Sequence, residues 1–305
     1  MPASRSPLLT VGAFVVVALC WSGFWTFGKL AVADVPPFEL AAIRFALAGV
    51  LMLAIALAVH APLGLARWRL IVVAGAVGIA FYNALVFVAL TMAPASDGAL
   101  VVPTLNPILI ALLATAIGEP LTRNKIAGLV LATGGAALLI AGATGMTFSG
   151  QRLGADLLYL LCAAAWAVYA TLGAILTRSG SPLGVTAVAS LVGAAMLFPL
   201  GFLEKSYADV PSWPLGAWLD IAYLVVFATT VGFVLFYWAV QRFGAGMASM
   251  VSYLVPIFAV AQAVFILGEQ PALLELVGGA VILMGVRIAT LRFVPSSPFE
   301  EAEPA

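Results

Sequence analysis

Charged side chains are scarce in this sequence. Only 9% of its 305 residues are charged, against 64% that are hydrophobic, and the mean hydropathy is +1.16. A soluble protein usually carries roughly 25% charged residues, so this chain cannot cover a surface that faces water on every side. Its 13 Lys and Arg balance its 13 Asp and Glu, and no basic stripe is present to bind a phosphate backbone. These shortages exclude a soluble enzyme and argue against nucleic acid as a partner.

Residues that hold metals or perform catalysis are equally rare. The sequence has one histidine, and its two cysteines, Cys20 and Cys162, lie in separate apolar runs. The nucleotide-binding loop G-x-x-x-x-G-K-[ST], the zinc-protease motif H-E-x-x-H and the serine-hydrolase motif G-x-S-x-G do not occur. We therefore predict no metal site, no cofactor and no enzyme activity. An intramembrane enzyme or sensor is kept as the alternative of another class, although Asp97, Asp156 and Asp220 form no evident aspartyl pair.

Long apolar runs are what the sequence has instead. A helix needs roughly 20 apolar residues to cross a hydrocarbon core about 30 Å thick. About ten such runs lie at 8–33, 37–59, 68–90, 94–117, 122–142, 153–177, 183–203, 215–241, 245–267 and 272–292. The breaks between them are short and leave no room for a folded domain outside the membrane. We predict an all-α membrane protein with ten transmembrane helices and a disordered cytoplasmic tail at 295–305.

The distribution of Lys and Arg predicts the orientation. With the N-terminus inside, nine of these residues fall in inner connections, and two, Arg152 and Lys205, fall outside. Positive residues next to a helix are retained on the cytoplasmic side. We therefore expect both termini in the cytoplasm and a bacterial-type inner membrane as the location.

Lys29, Arg44 and Asp97 lie in the first, second and fourth predicted spans. Lys29 and Arg44 are expected to extend to the outer surface and pair with Asp34 and Glu39. Contact with a substrate carboxylate is the alternative. Asp97 begins helix 4, where it either caps the helix or binds a substrate amine or a proton.

The second half of the chain repeats the first. An offset of 145 aligns Trp21 with Trp166 and Pro37 with Pro182, and an offset of 150 aligns Gly118-Glu119 with Gly268-Glu269. This predicts a first repeat at 1–147 and a second at 148–294, with five helices each. An odd number of helices places the copies in opposite orientations. Two inverted repeats around a central cavity suit alternating access.

These residues carry a family resemblance. A mid-helix proline precedes a Gly-Glu at the next boundary in each half, Pro107 before Glu119 and Pro256 before Glu269, and a helix glycine follows. In this pattern the chain resembles the drug/metabolite transporter superfamily of EamA type, and in length and aromatic content its aromatic amino acid exporters (YddG type). The resemblance implies an inner-membrane exporter with helices 1–4 and 6–9 around a cavity and helices 5 and 10 as supports.

Helix faces that combine aromatic and polar groups predict the cavity wall. The predicted lining residues are Trp21, Trp25, Asn83, Phe87, Pro103, Asn106, Trp166, Tyr169, Phe233, Tyr237, Ser249, Ser252 and Tyr253. The predicted hinge and gate residues are Pro107, Pro256, Glu119 and Glu269. We expect Glu119 to pair with Arg123 or Lys125, one turn away.

Aromatic walls with a few hydroxyls and amides suit an amphipathic solute. The predicted function is a secondary transporter that exports small metabolites, foremost aromatic and hydrophobic amino acids. The alternative is an exchanger of phosphorylated metabolites or nucleotide sugars, which would need two or more cationic side chains in the cavity. The predicted partners are a small-molecule substrate and the lipid bilayer, and the sequence leaves the oligomeric state open, a monomer included.

Overall fold

The computed structural model describes residues 7–142, 150–205, 207–267 and 273–291, and in this part of the chain regular structure is entirely helical. Glu269 and the tail at 295–305 lie outside the described residues. The continuous helical segments are labelled in chain order: α1 Pro7–Asp34, α2 Pro37–Ala58, α3 Leu65–Met92, α4 Ala95–Thr115, α5 Arg123–Gly142, α6 Gly150–Leu176, α7 Pro182–Gly201, α8 Leu215–Phe243, α9 245–267 and α10 Leu273–Thr290.

The chain is a multi-pass membrane protein. Eight of the described segments are long and apolar enough to cross a membrane, and a shorter apolar helix lies at Leu276–Thr290. Two of the long helices begin with a proline at the first helical position, Pro37 in α2 and Pro182 in α7, where the missing N–H costs nothing. Ser181 caps α7 by accepting a hydrogen bond from the Gly184 N–H at 2.9 Å. Each helix begins and ends within about three residues of the apolar run that predicts it.

Three of the segments are not uniform α-helix. Both α3 and α8 contain a π-helical stretch, Gly75–Phe81 in α3 and Leu224–Val231 in α8. These stretches stand 149 to 150 residues apart, close to the offset that aligns the two halves. Segment α9 contains a 3-10 stretch at Ser249–Tyr253. Departures of this kind inside long helices are rare and often mark functional positions.

Two helix pairs hold the halves of the chain together. Helix α5 lies against α10, and α2 lies against α7. A Cβ added to Gly128 of α5 would lie 2.5 Å from the Ala289 Cβ of α10, and one added to Gly285 would lie 2.5 Å from the Ala132 backbone nitrogen. Only small residues allow backbones to approach this closely. The α5–α10 contact is the one that the small residues in these helices predict.

One end of α2 is tied to the connection between α7 and α8. Glu204 accepts hydrogen bonds from the N–H groups of Phe38 and Glu39 at 2.9 and 3.2 Å. Glu39 in turn accepts from the N–H groups of Lys205 and Tyr207 at 3.2 and 2.9 Å. Burial raises the pKa of Glu204 above its usual value, outweighing these hydrogen bonds. Glu39 therefore holds the α7–α8 connection by hydrogen bonds and does not form the predicted ion pair with Arg44.

Candidate functional site

An internal cavity lies between the two halves of the chain. Its lining residues come from α1, α2, α3, α4, α6, α8 and α9, and they are Trp21, Phe24, Trp25, Arg44, Tyr82, Asn83, Val102, Pro103, Asn106, Trp166, Ala228, Phe233, Ser252 and Val255. The cavity volume is about 40 Å³. A single water needs roughly 10–15 Å³ of such space, so the cavity has room for a few waters and is too small for a metabolite. The described conformation is therefore contracted.

Aromatic residues supply six of the fourteen side chains that line the cavity. The Trp21 and Trp166 rings meet edge to face with centroids 5.2 Å apart, and Phe233 lies 5.1 Å from Trp166. Tyr82 lies 5.6 Å from Trp166 on its other side. These separations are typical of favourable aromatic pairs. The rings give the cavity a large apolar surface with few hydrogen-bonding groups.

Glycines on neighbouring helices seat two of these rings. A Cβ added to Gly98 of α4 would lie 2.2 Å from the Trp25 Cζ3, and one added to Gly232 of α8 would lie 2.6 Å from the Trp21 Nε1. No real side chain tolerates such distances. Both tryptophans thus occupy notches that only glycine leaves open, and this fixes their position in the wall.

Arg44 is the one cationic side chain that lines the cavity in the described part of the chain. It is only 2% exposed, and no carboxylate of the described residues forms an ion pair with it. Its Nε donates to the Thr229 Oγ1 at 2.9 Å, and its Nη1 donates to the Asn83 Oδ1 at 3.2 Å. A buried charge is costly unless it is paired, and three aromatic rings within 6 Å offset only part of that cost.

The Arg44 guanidinium keeps spare donor capacity. A guanidinium has five N–H donors, and those on Nη2 make no hydrogen bond to the described residues. Arg44 lines the cavity, so a donor that makes no hydrogen bond within the described residues could serve an anionic group bound there. The preferred partner of such a fork is a carboxylate or a phosphate.

Other polar atoms of the wall also lack a partner. The Asn106 Oδ1, the Ser252 Oγ and the Trp166 Nε1 are buried and make no hydrogen bond within the described residues. Buried polar groups are normally satisfied, so such atoms need an explanation. The amide oxygen and the hydroxyl are acceptors of the kind that bind an ammonium group, and all three atoms belong to cavity-lining residues.

The structure brings together only part of the predicted lining set. Trp21, Trp25, Asn83, Pro103, Asn106, Trp166, Phe233 and Ser252 all line the cavity. The other five predicted residues, Phe87, Tyr169, Tyr237, Ser249 and Tyr253, are buried but lie outside the lining set.

Each of these five residues packs against protein. The Tyr237 hydroxyl donates to the Tyr169 carbonyl oxygen at 2.9 Å, and the two rings stack with centroids 4.9 Å apart. Ser249 donates to the Gly246 carbonyl oxygen, Tyr253 hydrogen-bonds the Thr133 hydroxyl, and Phe87 lies behind Phe24. In the contracted conformation they support the wall from behind.

The wall also contains residues that the sequence did not single out as lining residues. These are Phe24, Tyr82, Val102, Ala228 and Val255. Helical spacing was the available signal for two of them, because Phe24 follows Trp21 by three positions and Val255 follows Ser252 by three. Ala228 carries no such signal. Its contribution is the carbonyl oxygen, which accepts a hydrogen bond from the Trp21 Nε1 at 3.2 Å.

The predicted extension of Arg44 to the outer surface is wrong. Arg44 points inward, as described above. Lys29 donates to the carbonyl oxygens of Leu90 and Ala93, the latter at 2.9 Å, at the end of α3. A cation is favoured there by the unpaired carbonyls and the helix dipole. Asp97 lies in the first turn of α4, is 8% exposed and does not line the cavity.

Glu119 caps a helix and forms no ion pair with Arg123 or Lys125. Its two carboxylate oxygens accept from the N–H groups of Ala245 and Gly246 at 2.6 and 3.0 Å. The carboxylate thereby satisfies donors at the start of α9, where negative charge is favourable. Pro107 and Pro256 are buried inside α4 and α9.

Comparison with known proteins identifies the family. The model of the EamA-like transporter family matches residues 8–141 and again residues 153–291. The chain belongs to this family. The double match covers nearly the whole chain and separates it at the boundary between the two predicted repeats. The cavity therefore belongs to an EamA-type transporter.

Several relatives carry the names of transporters. The uncharacterized transporter YyaM of Bacillus subtilis is 28% identical, with 86% of this chain and 87% of that protein covered. The probable terminal-alkyne amino-acid exporter of Streptantibioticus cattleyicolor is 30% identical, covering 78% and 80%. The aromatic amino acid exporter YddG of Ancylobacter novellus is 28% identical, covering 94% and 98%. One solved crystal structure, 26% identical, matches with a TM-score of 0.77 over 94% of this chain and 98% of that one.

Proposed function

We propose that this protein exports aromatic and hydrophobic amino acids across a bacterial inner membrane by alternating access. Arg44 is the observation that carries the proposal. A buried guanidinium that lines a cavity of a membrane protein, with donors that make no hydrogen bond and with no carboxylate paired to it among the described residues, suits a ligand that brings its own carboxylate.

The rest of the wall fits the other parts of an amino acid. The acceptors Asn106 and Ser252 suit an ammonium group. The rings of Trp21, Trp166 and Phe233 suit an apolar or aromatic side chain, since they offer large contact area without hydrogen-bonding demands. The YddG relative, at 28% identity, is named an aromatic amino acid exporter, and the Streptantibioticus relative, at 30%, is named a probable amino-acid exporter; both names support the same substrate class.

A phosphate ester fits the cavity less well. A dianion calls for two or more cationic side chains, and among the described residues only Arg44 lines the cavity. Lys29, the other positive residue of the first two predicted spans, donates hydrogen bonds to carbonyl oxygens at the end of α3.

The proposed mechanism exchanges access between two inverted repeats. In this proposal all ten helical segments span the membrane, both termini are cytoplasmic, and 1–147 and 148–294 are the repeats. The matching positions of the π-helical stretches and the α2–α7 and α5–α10 pairs support it. Because the cavity holds only about 40 Å³, helices must separate before a substrate enters. Pro107, Pro256, Glu119 and Glu269 are the proposed hinge and gate positions.

Counterflow in proteoliposomes tests the substrate class. We expect exchange of tryptophan, phenylalanine and leucine, weak exchange of tryptamine, which lacks the carboxylate, and none of a hexose phosphate. Arg44→Met should abolish amino acid exchange, whereas Arg44→Lys should retain part of it.

Arg69→Met is the matched control, because Arg69 is exposed and lies beside Trp68, away from the cavity. Loss of exchange in both methionine variants would point to a general charge effect. Exchange of the hexose phosphate but of no amino acid would overturn the proposal in favour of an ester exchanger.

A further inference from the structure

The π-helical stretch of α8 holds two side chains of the cavity wall, and both come from the other half of the chain. The Ala228 carbonyl oxygen accepts from the Trp21 Nε1 at 3.2 Å, and the Thr229 Oγ1 accepts from the Arg44 Nε at 2.9 Å. Ala228 and Thr229 both lie within Leu224–Val231. This short stretch therefore connects α8 to α1 and to α2 at the cavity.

The π geometry sets the direction of the Thr229 hydroxyl. In the α-helical parts of this chain, threonine hydroxyls that bond to their own helix reach back three or four residues. Thr91, Thr115 and Thr290 donate to the carbonyl three residues earlier, and Thr171, Thr177 and Thr186 donate to the carbonyl four residues earlier. Thr229 instead donates to the Leu224 carbonyl oxygen, five residues earlier, at 2.8 Å. With its proton committed there, the oxygen can only accept from Arg44. Thr229 is fully buried, so solvent cannot replace it in this role.

We propose that Thr229 is the positioning residue for carboxylate recognition: it holds the Arg44 Nε so that the opposite end of the guanidinium faces the substrate. This inference rests on the proposed function. The Nε–H is taken by Thr229 and one Nη1–H by Asn83, which leaves the Nη2 donors for the carboxylate. Without the Thr229 oxygen, the Asn83 contact is the one remaining hydrogen bond to the guanidinium from the described residues, so this alignment is weakened.

The chain offers a matched pair of variants. Thr229→Val removes the hydroxyl while keeping the shape of the side chain. Thr230→Val makes the same change at the next position, where the hydroxyl also donates five residues back, to the Val225 carbonyl oxygen at 2.8 Å, but makes no contact with Arg44. Any cost of weakening the π-helical stretch itself should appear in both variants. Thr229→Ser restores the hydroxyl.

The first readout is the ratio of the tryptophan affinity to the tryptamine affinity in counterflow. Loss of one hydrogen bond to a charged group should lower this ratio roughly tenfold in Thr229→Val. Thr230→Val and Thr229→Ser should keep the wild-type ratio. A general loss of folded protein would lower the exchange rates of both compounds and leave the ratio of affinities unchanged. An unchanged ratio in Thr229→Val, or an equal fall in Thr230→Val, overturns the inference.

The second readout needs no substrate. In protein labelled with ¹⁵N-arginine in lipid nanodiscs, the Arg44 Nε–H signal is assigned by its absence in Arg44→Lys. Its hydrogen exchange should be roughly tenfold faster in Thr229→Val than in the wild type or in Thr230→Val. If the wild type exchanges no amino acid, the proposed function fails, and this measurement alone decides whether Thr229 positions Arg44. Equal exchange in the two valine variants overturns the inference.

Discussion

The notch that seats Trp25 predicts a large effect from a single methyl group. In Gly98→Ala the new Cβ would lie 2.2 Å from the Trp25 Cζ3 and 2.8 Å from the Tyr159 Cε1. Carbon atoms in contact lie about 3.5–4.0 Å apart, so the indole must withdraw by more than about 1 Å. Overpacking of this kind costs typically about 1–3 kcal/mol. A ring displaced into a cavity of about 40 Å³ also obstructs it.

Two measurements follow for Gly98→Ala. Thermal unfolding in detergent should show a clear destabilisation, and the counterflow affinity should fall further for tryptophan than for leucine, because the larger ring needs the space that Trp25 would enter. Gly134→Ala is the control: Gly134 lies in α5 with no atom within 4 Å of an added Cβ. There the same change should stabilise the helix by up to about 1 kcal/mol.

A double variant makes the reasoning refutable. The clashing Cζ3 and Cε3 atoms belong to the six-membered ring of the indole, on the side that Trp25→Phe shortens. Combined with Gly98→Ala, Trp25→Phe should recover most of the lost stability, giving a coupling free energy of at least about 1 kcal/mol. Additive effects of the two changes would show that Trp25 does not occupy the notch as described.

Three further predictions concern the ends of helices. Glu119→Ala should lower the free energy of unfolding by about 1 kcal/mol, because the cap on α9 is lost. Arg123→Ala is the control and should leave it unchanged. Equal melting temperatures for Glu119→Ala and the wild type would contradict the cap. Lys29→Met should destabilise the end of α3 by up to about 1 kcal/mol, because the cation at the helix end is lost. Lys29→Arg should keep part of the stabilisation. An unfolding midpoint that neither change affects would contradict this role of Lys29. Burial raises the pKa of Glu204 above 4.5. The contribution of Glu204 to the free energy of unfolding is therefore largest at acid pH and falls as the pH rises through the raised pKa. Glu204→Gln should flatten the pH profile of the melting temperature. A profile of wild-type slope in that variant would assign the pH dependence to another group.

The helices were predictable from the sequence because the bilayer imposes one dominant rule. A backbone in hydrocarbon must satisfy its own hydrogen bonds, so each long apolar run becomes a helix. The internal repeat added the pairing of Trp21 with Trp166, and their rings meet in the cavity wall. The π-helical stretches were not predictable, because Gly75–Phe81 and Leu224–Val231 carry no residue pattern that separates them from α-helix.

The predicted wall failed where an aromatic ring meets a glycine on another helix. Tyr169 follows Trp166 by three residues, so helical spacing assigns both to the same face. A Cβ added to Gly78 of α3 would lie only 2.2 Å from the Tyr169 ring. The ring therefore occupies a notch in α3 and not the cavity. Spacing along one helix gives no information about the notch on its neighbour.

Arg44 shows that depth alone does not decide where a charged residue in a span will point. It lies seven residues into α2, about 10 Å from the helix start, and from that depth its side chain can reach either the surface or the interior. The faces of α2 separate the two outcomes. Leu40 and Ala48, one turn on either side of Arg44, are fully buried, whereas Leu47 and Val50 are 46% and 59% exposed. A cation that shares the buried face must find partners inside the protein. The Thr229 hydroxyl, the Asn83 amide and the cavity supply them, so the buried face of α2, read together with the charge, points to the cavity as the place where a carboxylate binds.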